Sequence, residues 1–572
     1  MIEIIGCKPR RGLTGALAAV LLLWASPPAG AAEPILGSDL APQTQLRSGL
    51  DQGFVTRGTP RTGPTPRARC NNSSRQEGGL QGRVPPAADD GFTCNLKVLG
   101  REGETGGFKV ERYIDDAGHE CAFYDTALVF PTNAPYAATS APGTAVLDMT
   151  DPAMPVRTAT LSTPAMLSPH ESLLVNRKRG LLAAVAGNPT TLPGIVDLYD
   201  IKADCRTPQL LSSLPVGFLG HESGFSPDGN TFWATSQFSG TIAAIDVTDP
   251  RVPSTLWIGR FSSHGLSLSA DGNRAYLSAL LGGLTILDVS EIQARKANPQ
   301  VRVVSKLTWP ELSIPQNSEP VIIKGKPHLI ETDEFSTGNQ GGPIPASNGD
   351  FVGAARIIDI SNEMAPKVVS NLRLAVHQPE NRATVAGDPG AFSPGQGYAA
   401  HYCGVPRMRD PKIVACSMIA SGLRVFDVRD PANPREIAYF VAPARVSTVT
   451  PDGANYAMSR PAFDIRSREI WYADGGSGFY SLKVAKRAWP FGRPPPCRAR
   501  QAFTIRLPER LRSARVKLDG RRVAVRRSRG RLRVRVDLRK AAGSRHALRI
   551  AGRARNGQRV FLVRKYRTCK RA

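Results

Sequence analysis

A short apolar run, an Asp and a turn ending in Pro recur along this chain, and this phrase constrains the fold more than any other feature. It reads AVLDMTDPAMP at 145–155, IAAIDVTDPRVP at 242–253 and LRVFDVRDPANP at 423–434. Looser copies are IVDLYDIKADCRTP at 195–208, LTILDVSEIQARKANP at 284–299 and RIIDISNEMAP at 356–366. The Asp of each copy is Asp148, Asp197, Asp246, Asp288, Asp359 and Asp427, at steps of 49, 49, 42, 71 and 68 residues. Periods of about 40–50 residues with several strands per repeat predict propeller blades rather than a helical solenoid. Asp148, Asp246 and Asp427 read as turn formers that accept from nearby backbone amides.

One blade can be followed strand by strand in 221–261. HESGFSP is a first strand, DGN a tight turn, TFWATSQ a second strand and TIAAIDV a third. DPRVP then turns the chain into STLWIGRF, the fourth. Short strands punctuated by Gly, Asp and Pro are the blade pattern. Seven blades start near 119, 170, 221, 264, 319, 401 and 460. The seventh lacks an outer strand, which NLKVLGR at 95–101 is expected to supply, closing the ring and removing its free edges. The insertion at 331–353 is too long for a hairpin and reads as a functional loop.

Charge is distributed unevenly. Residues 497–572 hold 27 Lys and Arg against 3 Asp and Glu, so nearly all of the chain's net +26 sits there. In that tail RLRVRVDL (531–538) alternates charged and apolar residues as a half-buried strand does. Asp519-Gly520 and Asn556-Gly557 are hairpin turns. The expected fold is all-β: a seven-bladed β-propeller over 92–490, then a small basic β-sandwich (Ig-like) over 497–572. The arginines Arg526, Arg527, Arg529, Arg531, Arg533 and Arg535 predict binding of polyanions through bidentate hydrogen bonds.

The N-terminus predicts export. Lys8, Arg10 and Arg11 precede the apolar run 13–25, too short to span a bilayer comfortably, and Ala29-Gly30-Ala31 offers a cleavage site. Residues 1–31 are therefore read as a signal peptide, by the general or the twin-arginine route, and no later segment is apolar enough to cross a membrane. Residues 32–91, rich in Pro, Gly and Arg, are read as a disordered tether. Cys7 leaves with the signal. Eight cysteines remain, an even number that favours disulfides in an exported chain. Cys403 with Cys416 and Cys497 with Cys569 are the motivated pairs. Cys70, Cys94, Cys121 and Cys205 are left over, paired by proximity alone.

The repeated phrase resembles that of the LVIVD-repeat family of exported β-propellers, over roughly 92–490. The resemblance implies a fold and a location, not a reaction.

Aligned on their first strands, the blades place His119, His170, His221, His264, Glu319, His401 and Arg460 at the mouth of the central channel. The chain has only eight His, so five at equivalent positions constitute a pattern. Three readings compete. Imidazoles and a carboxylate converging on an axis suit a transition metal such as Zn, Cu, Fe or Ni. A repeated His also serves as a hydrogen-bonding strut between strands, as in WD-type blades. A polar-ligand or pH-sensitive site is the third. A second cluster, His328, Glu331, Asp333 and Glu334, reads as a loop able to hold Ca or Mg, or as a plain acidic loop. There is no Gly-x-Ser-x-Gly elbow, no phosphate-cradling loop and no Cys-x-x-Cys.

The expected function is an exported binding scaffold, held to anionic wall or surface polymers, or to an envelope protein, by its basic tail. Nucleic acid is not the expected partner, because export removes the chain from it and no aromatic platform accompanies the arginines. The alternative is a metal-dependent oxidase or hydrolase at the channel mouth. A metal-free sugar or peptide site would need an aromatic mouth, for which only Tyr402 and Phe335 are candidates.

Overall fold

The computed structural model describes residues 63–568 apart from 86–89, 127–141, 188–193, 219, 237–239, 280–282, 310–313, 335–352, 392–396, 445–454, 492–501, 508–510, 529, 540–544, 555–556 and 558. The signal of 1–31, the start of the 32–91 segment, most of the 331–353 insertion including Phe335, and Cys497, Arg529, Asn556 and Cys569 lie outside the described residues. Among the described residues the chain is almost all β, and no helix is long and apolar enough to cross a membrane.

Seven antiparallel sheets follow one another. Their first strands are Val110–Ile114, Leu174–Asn176, Ser223–Phe225, Gly265–Leu268, Ile314–Ile323, Tyr402–Gly404 and Ala462–Asp464. Six of these sheets have four strands and the sixth in order has five. Neighbouring first strands touch in order from the first sheet to the sixth, and the seventh returns to the first; the sixth and seventh sheets meet through Ser417 Oγ, which donates to Ser459 O at 2.6 Å. Parallel bridges join Glu171 to Glu222 and Lys109 to Arg460. Consecutive four-stranded sheets joined through their first strands are the arrangement of a β-propeller. Most of the second strands are buried end to end, as in Thr231–Ser236, because each sheet is covered on both faces by its neighbours. The outermost strands, such as Ser254–Arg260, are half-exposed.

The repeated Asp acts as the sequence predicts. Asp148, Asp246, Asp288, Asp359 and Asp427 each accept from the backbone N–H two residues on, at 2.8–3.1 Å. In the second sheet the role falls to Asp200, which accepts from Lys202 N at 2.7 Å. Asp197 is instead fully buried and accepts from Ala165 N and Met166 N.

The expected closing strand is present. Leu96–Glu102 pairs antiparallel with Gly478–Val484, so the seventh sheet takes its outer strand from the other end of the chain. The short strand Phe92–Cys94 extends the sixth sheet by pairing with Arg435–Val441. The first sheet starts at Val110, one strand earlier than expected. His119 lies in the turn before the second strand, Glu120–Asp125.

The disordered reading of 32–91 fails for 63–85. Ala68 and Val84 are buried against Cys94, Tyr439 and Val441, and Cys70 is bonded to Cys94. Glu77 meets Arg424 at 2.7 Å, and Arg424 also meets Glu436 at 3.1 Å, all three buried. Arg83 grips Asp388 at 2.8 Å. A segment poor in apolar residues is ordered here by a disulfide and buried ion pairs, which composition does not report. The other disulfides are Cys121–Cys205 and Cys403–Cys416, the latter between cross-strand partners.

At the C-terminus Ala502–Arg506, Arg531–Asp537 and Val525–Ser528 form one sheet. Arg521–Val523, Leu511–Leu518, Arg545–Ala554 and Arg559–Arg567 form another. The two share one apolar core that includes Val516, Leu532, Val534, Val536, Leu548 and Ile550. The alternation read at 531–538 is observed, with Leu532, Val534 and Val536 inward. Asp519 and Gly520 both have positive φ, 48° and 80°, as a two-residue hairpin with the strands' twist requires.

Candidate functional site at the propeller axis

Four of the seven predicted ring residues come together. His170, His221, His264 and His401 precede the first strands of the second, third, fourth and sixth sheets and point inward to the carboxylate of Glu171. Their Nε2 atoms lie 3.6, 3.3, 4.0 and 3.2 Å from a Glu171 oxygen, respectively. Glu334, at the end of Lys326–Glu334, faces the same imidazoles, 3.3 Å from His264 Nε2 and 3.2 Å from His401 Nε2. The rings pack tilted against one another, with centroids 4.5 Å apart for His170 and His221 and 4.8 Å for His221 and His264. All of these side chains are buried.

The other expected ring members differ for reasons of register. His264 Nδ1 donates to Pro315 O at 3.0 Å and His401 Nδ1 to Met458 O at 3.1 Å. The next residues, Gln316 and Ser459, therefore occupy the histidine level in the fifth and seventh sheets. By the Lys109–Arg460 bridge the first sheet contributes Phe108 at that level, packed against His170 and His401. Glu319 and Arg460 lie further along the axis. They pair with each other at 2.9 Å, and Arg460 also meets Glu111 at 3.2 Å. His119 is not on the axis: its Nδ1 is 2.7 Å from Asp115 and 3.4 Å from Asp204. The Asp115 carboxylate already accepts from Gly118 N, His119 N and Cys205 N, so this cluster serves the turn.

The acidic cluster His328, Glu331, Asp333 and Glu334 is a correction too. It lies on a buried strand, not a loop. Glu331 and Asp333 both hold the buried Arg356, which stacks over Trp309 at 3.8 Å. His328 Nδ1 bonds Lys326 O. Only Glu334 reaches the axis. The Ca or Mg reading therefore does not fit these residues: three of the four are committed elsewhere.

Around Glu171 stand residues the sequence did not single out. Gln316 Nε2 donates to Glu171 and, at 3.0 Å, to Tyr402 OH, while Tyr402 OH donates to Glu171 at 3.0 Å. One residue further along the axis Lys109 Nζ meets Glu222 at 3.0 Å, and Asn317 Nδ2 donates to the same carboxylate at 2.7 Å. Gly265 is required here, because a Cβ would come within 2.0 Å of Glu222 Oε2 and 2.1 Å of Gln316 O. A legible signal existed for the acids: His-Glu-Ser occurs at 170–172 and again at 221–223. Nothing local marks Gln316 or Phe108.

The electrostatics separate the imidazoles. Burial pushes His264 down to about 3, helped by the positive field of His221, so it is neutral. Burial also opposes charge on His401, but Glu171 and Glu334 outweigh it and raise its pKa to about 9. Glu171 is held well below the usual carboxylate range by His221 and His401 despite its burial. Burial raises Glu334. His170 adopts φ 51°, a left-handed conformation that costs a non-Gly residue on the order of 1–2 kcal/mol and that concentrates at functional sites.

The geometry bears on the strut reading. A strut bonds strand to strand. Here Nδ1 of His264 and of His401 makes that bond, and Nε2 is left aimed at the axis. An imidazole whose Nδ1–H is fixed by a carbonyl presents Nε2 as a metal ligand in the correct tautomer. Ligand atoms of His170, Glu171 and His221 lie within 4.8 Å of one another. Four imidazoles and a carboxylate are a donor set for Zn, Cu, Fe or Ni.

No protein-family model and no curated protein matches the chain. Among solved structures it is similar to a chain of Kuenenia stuttgartiensis hydrazine synthase, at 14% identity and TM-score 0.43, covering 67% of this chain and 97% of that one. It is similar also to a chain of a mitotic checkpoint complex, at 11% identity and TM-score 0.41, covering 75% and 99%. The periplasmic gluconolactonase of Pseudomonas aeruginosa matches at 15% identity and TM-score 0.36, covering 60% and 92%. Likeness at this level carries no argument about function, and the architecture rests on the sheets themselves.

Proposed function

We propose that this chain is an exported seven-bladed β-propeller of the LVIVD-repeat kind, followed by a basic β-sandwich, and that its axis binds a divalent transition-metal ion for a metal-dependent reaction. His170, His221, His264 and His401 are the ligands, with Glu171 and Glu334 as ligand or charge-balancing carboxylates. The observation that carries this reading is the convergence of four Nε2 atoms, from four separate sheets, within 4.0 Å of one buried carboxylate. Metal binding makes all four imidazoles neutral, His401 giving up its proton to the ion, and the two carboxylates then carry charge −2, which a divalent cation neutralises. Unpaired charge buried this deeply costs several kcal/mol per ion. A bound metal of this class acts as a Lewis acid or activates water. Elemental analysis of the purified mature protein tests the reading. About one transition-metal ion per chain is expected, lost in His401→Gln and in His264→Gln while both variants keep the wild-type far-ultraviolet circular dichroism and melt somewhat lower, as loss of a bound ion requires. A wild-type protein that stays metal-free after incubation with Zn²⁺, Cu²⁺, Fe²⁺ and Ni²⁺ would overturn it.

A second reading concerns the C-terminal part and is compatible with the first. The density of arginine on its outer faces supports a scaffold role, with 497–572 retaining the protein on anionic polymers of the envelope. Arg526, Arg531 and Arg535 are exposed and Arg533 is half-exposed. The Arg527 guanidinium is tied to the carbonyls of Gly530 and Arg512.

A further inference from the structure

The C-terminal three-stranded sheet holds a row of arginines that no single strand reveals. Arg533 lies directly opposite Arg506 on one side and opposite Arg526 on the other. Val534, one residue on, points into the core with its partners Ile505 and Val525. All three arginines are therefore on the outer face, about 4.8 Å apart from strand to strand. Like charges placed directly opposite destabilise a sheet. The acids described in this module do not relieve them: Asp537 is taken by Arg539, and Asp519 by His546. Among the described residues Arg506, Arg526 and Arg533 show no ion pair, and Arg533 Nε is buried without a protein hydrogen-bond partner.

The neighbours of the row indicate the ligand. Arg531 and Arg535 flank Arg533 on the same face, each about 7 Å away along the strand. Thr504 and Ser528 complete the face opposite Arg535 and Arg531. No large apolar side chain stands among them, which disfavours a lipid surface, and no aromatic stands there for a base to stack on. A carboxylate offers two oxygens and suits one guanidinium fork. A tetrahedral phosphate offers three or more acceptors and can be shared by guanidinium groups arriving from several strands.

We infer that Arg506, Arg533 and Arg526 form a binding row for the phosphates of a linear phosphate polymer running along Arg531–Asp537. This rests on the reading of the basic module as a polyanion holder and deepens it by naming the ligand chemistry and the row. It adds Arg506, which lies outside the Arg-rich run, and removes Arg527.

The test compares the full mature protein with Arg506→Gln/Arg526→Gln/Arg533→Gln and with a charge-matched control on the other sheet, Arg515→Gln/Arg553→Gln/Arg559→Gln. The probes are inorganic polyphosphate, polyglutamate of equal charge, and phosphatidylglycerol/phosphatidylcholine vesicles. Wild type is expected to prefer polyphosphate to both other probes. The row variant is expected to bind polyphosphate at least about tenfold more weakly, with a log–log salt slope lower by about two to three. The control is expected to stay within about twofold. Arg533→Lys keeps the charge but loses the fork, and should weaken polyphosphate binding on its own. Retained melting temperature shows that the row variant folds, and at low salt a rise is expected as repulsion is removed. Equal losses in row variant and control, equal affinity for polyglutamate, or preference for vesicles would each overturn the inference. Polyphosphate binding undiminished in the row variant would sink the row but leave the polyanion reading intact. A wild-type protein that binds none of the probes would sink both.

Discussion

On the axis of the seven-sheet body every described cation meets an acid. Lys109 meets Glu222, Arg460 meets Glu319 and Glu111, and His401 stands between Glu171 and Glu334. On the C-terminal three-stranded sheet, arginines meet each other across the strands. The difference follows from solvent. A buried charge left unpaired costs several kcal/mol, so the axis is matched group by group. At the surface, water and salt screen repulsion within about 10 Å, so a sheet can keep like charges in register and offer them to an anion. The first region is specific because it is dry. The second is available because it is wet.

The sharpest way to break this contrast is to unpair a buried charge. Arg424→Ala strands Glu77 and Glu436 in the interior and should destabilise the protein by about 3–5 kcal/mol. Denaturant unfolding checks this, and a loss under about 1 kcal/mol would mean that water reaches the pair. The ordered N-terminal segment should become protease-sensitive in the same variant. Next in size is Cys121→Ala/Cys205→Ala, which opens a link between residues 84 apart and should cost about 2–4 kcal/mol. The Cys403–Cys416 link spans 13 residues and should cost less, which tests loop closure as the cause.

Smaller effects sharpen the comparison. Tyr402→Phe removes one hydrogen bond to Glu171 and leaves the imidazoles in place. As an outer-shell change it should weaken metal binding about 10–100-fold in a chelator competition. An unchanged affinity would place Glu171 outside the ligand set. The smallest effect belongs to a buried carboxylate held by two exposed arginines. Burial pushes the Asp427 carboxyl upward, but Arg429 and Arg435 outweigh it and leave the pKa lowered. A lowered folded value stabilises above the unfolded carboxylate pKa of about 4, and the gain fades as pH falls through the folded value. Asp427→Asn should therefore remove about 1 kcal/mol or less at pH 6 and progressively less as the pH falls below the unfolded carboxylate pKa, read from melting temperatures.

The repeat phrase made the sheets legible because its Asp and Pro act locally. The Asp accepts from an amide two residues on, whatever the rest of the chain does. The same locality explains the errors. Asp197 for Asp200 is a slip of three residues and His119 for Phe108 a slip of a whole strand, both invisible to a pattern without contacts. Period-2 alternation likewise exposed Leu532, Val534 and Val536, since one face of that sheet is wet.

The sequence by itself determined the strand-rich repeats, the outer strand drawn from about 95–101, the inward placement of His170, His221, His264 and His401, and the concentration of charge in the tail. Tertiary structure alone decided that Glu334 joins the histidines while Glu331 and Asp333 hold Arg356. It also decided that Gln316 and Phe108 stand where Glu319 and His119 were expected, that 63–85 is ordered, and that Arg506 lines up with Arg533 and Arg526. Each of these depends on which strand lies beside which. Backbone pairing sets that across tens to hundreds of residues, and neither composition nor period carries it.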